Sequence, residues 1–191
     1  MKLLTKLSCL LFLLPGFAFA HTGVSEASGF MHGFHHPFSG LDHMLAMLAV
    51  GLWSVQLGNS MRWKLPAAFV VALVIGGGLG FSGLTVPYIE EGILVSVLVL
   101  GVLIACRYTL SATISMAVVG AFALFHGYAH GAEMPATIGA LSYTFGFTIA
   151  AVLIISAGII VSDYLKKVNL QSWVRIAGSV IAMGGVYLAL V

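Results

Sequence analysis

Residues 31–47 read MHGFHHPFSGLDHMLAM, and they run directly into the apolar stretch Leu48, Ala49, Val50, Gly51, Leu52, Trp53. The stretch carries His32, His35, His36 and His43, four of the seven histidines, and Asp42, one of six acids. Asp42 and His43 therefore sit inside the start of a hydrophobic segment. An ionisable side chain there costs about 2.5–3.5 kcal/mol on the mildest insertion scale, which argues for a partner or a use. A second cluster, Phe125-His126-Gly127-Tyr128-Ala129-His130-Gly131-Ala132-Glu133, closes another hydrophobic segment. The rest of the chain reads as the scaffold that brings the two together.

The composition sets the class. The chain has 191 residues, 60% hydrophobic and only 7% charged, where a soluble domain carries about 25% charged residues. It reads as an all-α, polytopic membrane helix bundle. No Cys-x-x-Cys pair joins Cys9 and Cys106 into a thiolate metal site or redox motif. There is no basic run for nucleic acid and no nucleotide-binding loop.

Residues 1–20 have the form of a cleaved signal peptide: Lys2 and Lys6, an apolar stretch, then Ala18-Phe19-Ala20. Residues 21–191 then form a single transmembrane domain beginning at His21. Residues 21–36 are polar and Gly-rich, and Pro37 suits the first turn of a helix. Six spans are expected, over residues 38–57, 65–83, 92–106, 109–130, 138–161 and 173–191, each near the ~20 residues that cross a bilayer. The basic residues of the mature chain, Arg62, Lys64, Arg107, Lys166, Lys167 and Arg175, all fall in or beside alternate loops, while Glu26, Glu90, Glu91 and Glu133 fall in the others. That segregation places both mature termini in the periplasm. The pairs Gly76/Gly80 and Gly127/Gly131 have the spacing that lets helices approach closely.

In this topology both clusters lie at the outer face. His126 and His130 are four apart and Glu133 three further, so they share one side of a helix. His36 and His43, seven apart, share another if the helix reaches back to Pro37. Imidazoles with one or two carboxylates and no thiolate suit nickel, cobalt, zinc or copper(II), and not magnesium or calcium. His36, Asp42, His43, His126, His130 and Glu133 are candidates for metal or proton handling, with His21, His32 and His35 as secondary candidates. His21, as a free N-terminus, would add its α-amine to its ring as a chelate. Met44 and Met47 read as packing, and Glu90 and Glu91 as a solvated loop.

His36-x5-Asp42-His43, within HPFSGLDHMLAMLAVGLW, resembles the first-helix signature of the HupE/UreJ family. Phe125-His126-Gly127-x-x-His130-Gly131-x-Glu133 resembles its second motif. The resemblance covers the whole mature chain. It implies an inner-membrane permease admitting Ni²⁺ or Co²⁺ from the periplasm, serving hydrogenase or urease maturation, with the six residues above handling the metal. The partners implied are a divalent ion and the bilayer, with a homo-oligomer allowed and no nucleotide used. The chain is read as a transporter and not an enzyme. The rival readings are an intramembrane zinc-dependent hydrolase and a metal-binding accessory that does not transport.

The topology has a direct check. A reporter active only in the cytoplasm, fused after Val191, is expected to be silent, and activity there would require an odd number of crossings.

Overall fold

The structure is a computed structural model that describes residues 26–135 and 137–190. The expected signal peptide and His21 lie outside the described residues. Seven helices and no strands occur among the described residues: α1 Glu26–Ser39, α2 Leu41–Gln56, α3 Met61–Phe81, α4 Ile89–Ala105, α5 Ala112–Ala132, α6 Ala140–Lys167 and α7 Gln171–Leu188.

Helices α2 to α7 coincide with the six apolar segments expected from sequence. Three of them, α3, α5 and α6, are long and apolar enough to cross a membrane, and α1 with α2 makes a fourth if that bent pair is one span. Helix α4 has only 17 residues, and α7 has 18 with Gln171 and Arg175 in its first turns. Large apolar side chains cover the outside of the bundle. Val71, Ile75 and Leu79 on α3, Leu153 and Ile160 on α6, and Val180 and Met183 on α7 are all exposed. An apolar exterior on this scale belongs against lipid. Inside, Trp53, Tyr143, Phe69, Phe147, Met47 and Leu73 are fully buried, so Met47 packs as expected, and Met44 packs partly buried against the same core.

Helix α1 corrects the sequence reading. Residues 26–36 were expected to be irregular, with Pro37 opening the first span. They are helical, and Pro37 lies inside α1, near its end. The physical reason is a ladder of aromatic rings one turn apart. Phe30 stacks on Phe34 at 6.0 Å and Phe34 meets Phe38 at 5.7 Å, pairs that stabilise a helix at i, i+4. The chain then breaks at Gly40, which is extended, and α2 leaves at 83° to α1. His36 and His43 are therefore on two helices rather than one side of a single helix.

Helices α3 and α5 pack backbone against backbone. A methyl group on Gly76 would strike the Leu124 carbonyl and the Tyr128 amide, and one on Gly127 would strike the Leu73 carbonyl and the Gly77 amide. The two small-xxx-small pairs read from the sequence thus face each other. The same device joins α2 to α6 through Gly51 and Gly158, and α4 to α7 through Gly101 and Gly178.

Gly76→Ala is expected to destabilise the protein by about 1–3 kcal/mol, the usual cost of overpacking. A methyl on Gly78, two residues away, would meet nothing within 4 Å, and Gly78→Ala should be neutral or stabilising by about 0.5–1 kcal/mol. Thermal unfolding of both in one detergent checks the pair, and equal midpoints would show that the α3–α5 contact is not tight.

Candidate metal-handling site

The break at Gly40 is where the site begins. A methyl on Gly40 would lie 2.7 Å from Asp42 Oδ1 and 2.9 Å from His43 Nδ1. Only a residue without a side chain lets those two groups close over the turn. They do close: Asp42 Oδ1 accepts from the His43 backbone amide at 2.7 Å and lies 2.8 Å from the His43 ring Nδ1. Asp42 also stands in the first turn of α2, where the helix dipole favours a carboxylate. An ionised carboxylate accepts only, so the ring hydrogen of His43 is on Nδ1 and its Nε2 carries a bare lone pair.

His126, on α5, is oriented by a residue that the sequence reading had left unused at this site. Ser96, buried on α4, donates its hydroxyl hydrogen to the Ile93 carbonyl at 2.6 Å. Its oxygen lies 2.9 Å from His126 Nε2. A hydroxyl has one hydrogen, already committed, so Ser96 accepts here and His126 carries its hydrogen on Nε2. Its Nδ1 is left bare. Depth is the signal that could have paired them: Ser96 lies seven residues into α4 and His126 seven residues before Glu133, about 10 Å in each case.

The rings meet inside the bundle, near one end. His43 lies 4.8 Å from His126 and 4.6 Å from His130 between ring centroids, and His36 lies 4.8 Å from His130. Phe147 of α6 stacks on His130 at 4.9 Å, closing the far side. His126 and His130 are fully buried and His43 is 8% exposed. Yet His43 Nε2, His126 Nδ1 and both ring nitrogens of His130 have no hydrogen-bond partner in the protein. Buried polar atoms are seldom left unpaired, and each such case asks for an explanation. All four are imidazole nitrogens, and three of them, one per neutral ring, carry the kind of bare lone pair that suits a borderline metal ion.

Glu133 and His36 form the outer rim. His36 Nε2 lies 3.0 Å from Glu133 Oε2, and that hydrogen bond holds the Glu133 carboxyl below its usual range against a desolvation that raises it. His32, His35, His36, Met31 and Ser39 line an open cavity of about 390 Å³ on α1. His32 and His35 are exposed and stand apart from the buried rings. Six of the expected residues, His36, Asp42, His43, His126, His130 and Glu133, are thus brought together, while His32 and His35 are not. Glu133 meets His36 rather than continuing the His126–His130 side, because α5 has ended at Ala132. As the side chains stand, no group of three or more His, Cys, Asp or Glu among the described residues is set to hold an ion. Both carboxylates are engaged with imidazoles.

Fold and site together define a multi-pass helical membrane protein with a buried imidazole cluster near one end. The family model described as "HupE / UreJ protein" matches residues 9–188. The chain is 40% identical over 184 residues to Protein HupE of Rhizobium leguminosarum bv. viciae, covering 96% of this chain and 95% of that one. It belongs to the HupE/UreJ family, which is associated with nickel or cobalt transport and accessory functions. No solved structure matches it.

If Asp42 sets the His43 tautomer, Asp42→Ala should let the ring populate both. The ¹⁵N shifts of the His43 ring report this directly. A ring that stays fully Nδ1–H in the variant would assign the tautomer to something else.

Proposed function

We propose that the chain is an inner-membrane permease admitting Ni²⁺, or Co²⁺, from the periplasm. The observation that carries this reading is the cluster of buried imidazoles whose bare nitrogens have no partner in the protein. In this reading His43 Nε2, His126 Nδ1 and His130 are the inner ligands, and His36 with Glu133 receives the ion at the rim. Asp42 and Ser96 act on His43 and His126 by fixing which nitrogen is free. Hydrogen bonds of that kind around a metal-binding imidazole are typically worth 10–100-fold in affinity. Ligation asks the rings to turn their bare nitrogens inward, with metal–nitrogen distances of about 2.0–2.1 Å for an ion such as zinc.

Six crossings, α2 to α7, with both mature termini outside, follow from the charge segregation and put the imidazoles toward the periplasm. The short α4 and the Arg175-bearing α7 cross as members of a bundle, shielded by their neighbours. A membrane potential of 100 mV favours a divalent cation by about 4.6 kcal/mol, at about 2.3 per charge. Inward movement then needs no further coupling ion. A zinc-dependent hydrolase fits less well, because a water-activating carboxylate must be free and Asp42 and Glu133 are each bonded to a histidine.

Uptake of radiolabelled nickel by cells with and without the protein tests the reading. His43→Ala, His126→Ala and His130→Ala should each abolish metal-dependent uptake while the protein stays in the membrane. The doubles should cost little more than the singles, since the three act on one ion. Uptake near normal in the His43→Ala/His126→Ala pair would sink the shared-ion proposal.

A further inference from the structure

The end of the bundle away from the histidines holds a second constellation of opposite character. A cavity of about 370 Å³ lies among the ends of α2, α4 and α6 and the start of α7. Arg107, Lys166 and Arg175 line it together with Gln56, Asn169, Gln171 and Ser172. No acid lines it. The acid nearest in sequence, Asp163, is held by Arg62 in an ion pair at 2.5 Å. Arg107, Lys166 and Arg175 have no ion-pair partner among the described residues.

Two features make this more than a scatter of surface cations. Arg175 donates from Nε to the Ala105 carbonyl at 2.9 Å, which pins the guanidinium and leaves its outer nitrogens to the cavity. The start of α7 has no side-chain cap, so the unpaired amides of a helix N-terminus lie beside the three cations. The cations and amides ask for an anion.

We propose that this cavity binds a phosphate-bearing anion, and that its occupant is the headgroup of an anionic phospholipid. The phosphate sits among Arg107, Lys166 and Arg175. A free phosphate offers the same charge, but the surroundings favour lipid. Trp63, Tyr108, Tyr164 and Trp173 are all more than half exposed at this end, and exposed Trp and Tyr collect at headgroup level. Basic pockets between helices at that level take anionic headgroups. The inference does not rest on the metal reading.

The test uses the full-length protein in neutral detergent, titrated with phosphatidylglycerol, phosphatidylcholine or inorganic phosphate, with bound adducts read by native mass spectrometry. Phosphatidylglycerol should be retained in preference to phosphatidylcholine. Lys166→Gln and Arg107→Gln should each weaken it about tenfold, the scale of one charge-assisted contact. Lys64→Gln, an exposed cation outside the cavity, should change nothing. Displacement of the lipid by inorganic phosphate at comparable concentration would keep the phosphate site and overturn the lipid assignment. Equal retention of phosphatidylcholine, or equal losses in Lys64→Gln and Lys166→Gln, would reduce the cavity to general surface charge. Unfolding midpoints of the variants without lipid separate lost binding from lost folding.

Discussion

The close approach of α3 and α5 is the constraint on which the site depends. Glycines at 76 and 80 on one helix and 127 and 131 on the other leave no side chain between the backbones. Gly127 and Gly131 are each preceded by a histidine. Successive residues on a helix are turned by about 100°, so fixing Gly127 and Gly131 against α3 turns His126 and His130 to a different side. That side looks at α2. The alternation His-Gly, His-Gly one turn apart is thus a packing instruction and a chemical one at once. Helices α2 and α5 are not among the closely packed pairs; they meet through imidazoles at 4.6–4.8 Å.

The bend at Gly40 supplies the other half. An unbroken helix would carry His36 up and away from His43, whereas an 83° turn lays α1 across the end of the bundle. Helix α1 is held there by α6, where Gly33 and Gly146 let the two backbones approach. His36 then reaches both His130 and Glu133. The Asp42–His43 contact fills the corner at Gly40 where a larger residue would sit. Geometry and chemistry coincide at that residue. The turn that brings α1 over the site also needs the smallest side chain at the place where the carboxylate meets the ring.

Much of this was legible in the residues, and the failures have physical reasons. The six apolar segments were readable because hydrophobic length is a strong signal, and they reappear as α2 to α7. The crossing count was harder, since α4, though strongly apolar, is short for a bilayer, and α7 is both short and less apolar. The six histidine and carboxylate positions were readable because ionisable groups in apolar sequence are expensive. Their roles were less legible. Asp42 looked like a ligand and is bonded to a ring, and Ser96, which meets His126, carried no signal of its own. Both roles depend on where one hydrogen sits, which no spacing rule carries. Helix α1 was missed because its glycines and histidines outweighed a signal that was present, the aromatic repeat Phe30, Phe34, Phe38.

The two ends of the bundle are electrically opposed. The imidazoles gather at one end with Asp42 and Glu133, and Arg62, Lys64, Arg107, Lys166, Lys167 and Arg175 at the other, where the one acid, Asp163, is paired with Arg62. The basic end is what sets orientation in a membrane, yet under the proposed permease reading it is also an unfavourable exit for a cation. Charges near the membrane surface act within about a Debye length, near 8 Å at physiological salt. A divalent ion leaving the bundle close to Arg107, Lys166 and Arg175 would meet their field at short range and poorly screened. An anionic headgroup seated among them would answer both demands. It would leave the sequence signal for orientation intact, since that is read during insertion, and it would lower the repulsion felt by the ion afterwards. The lipid would then serve the folded protein as a counter-charge that the chain itself cannot supply without weakening its topology.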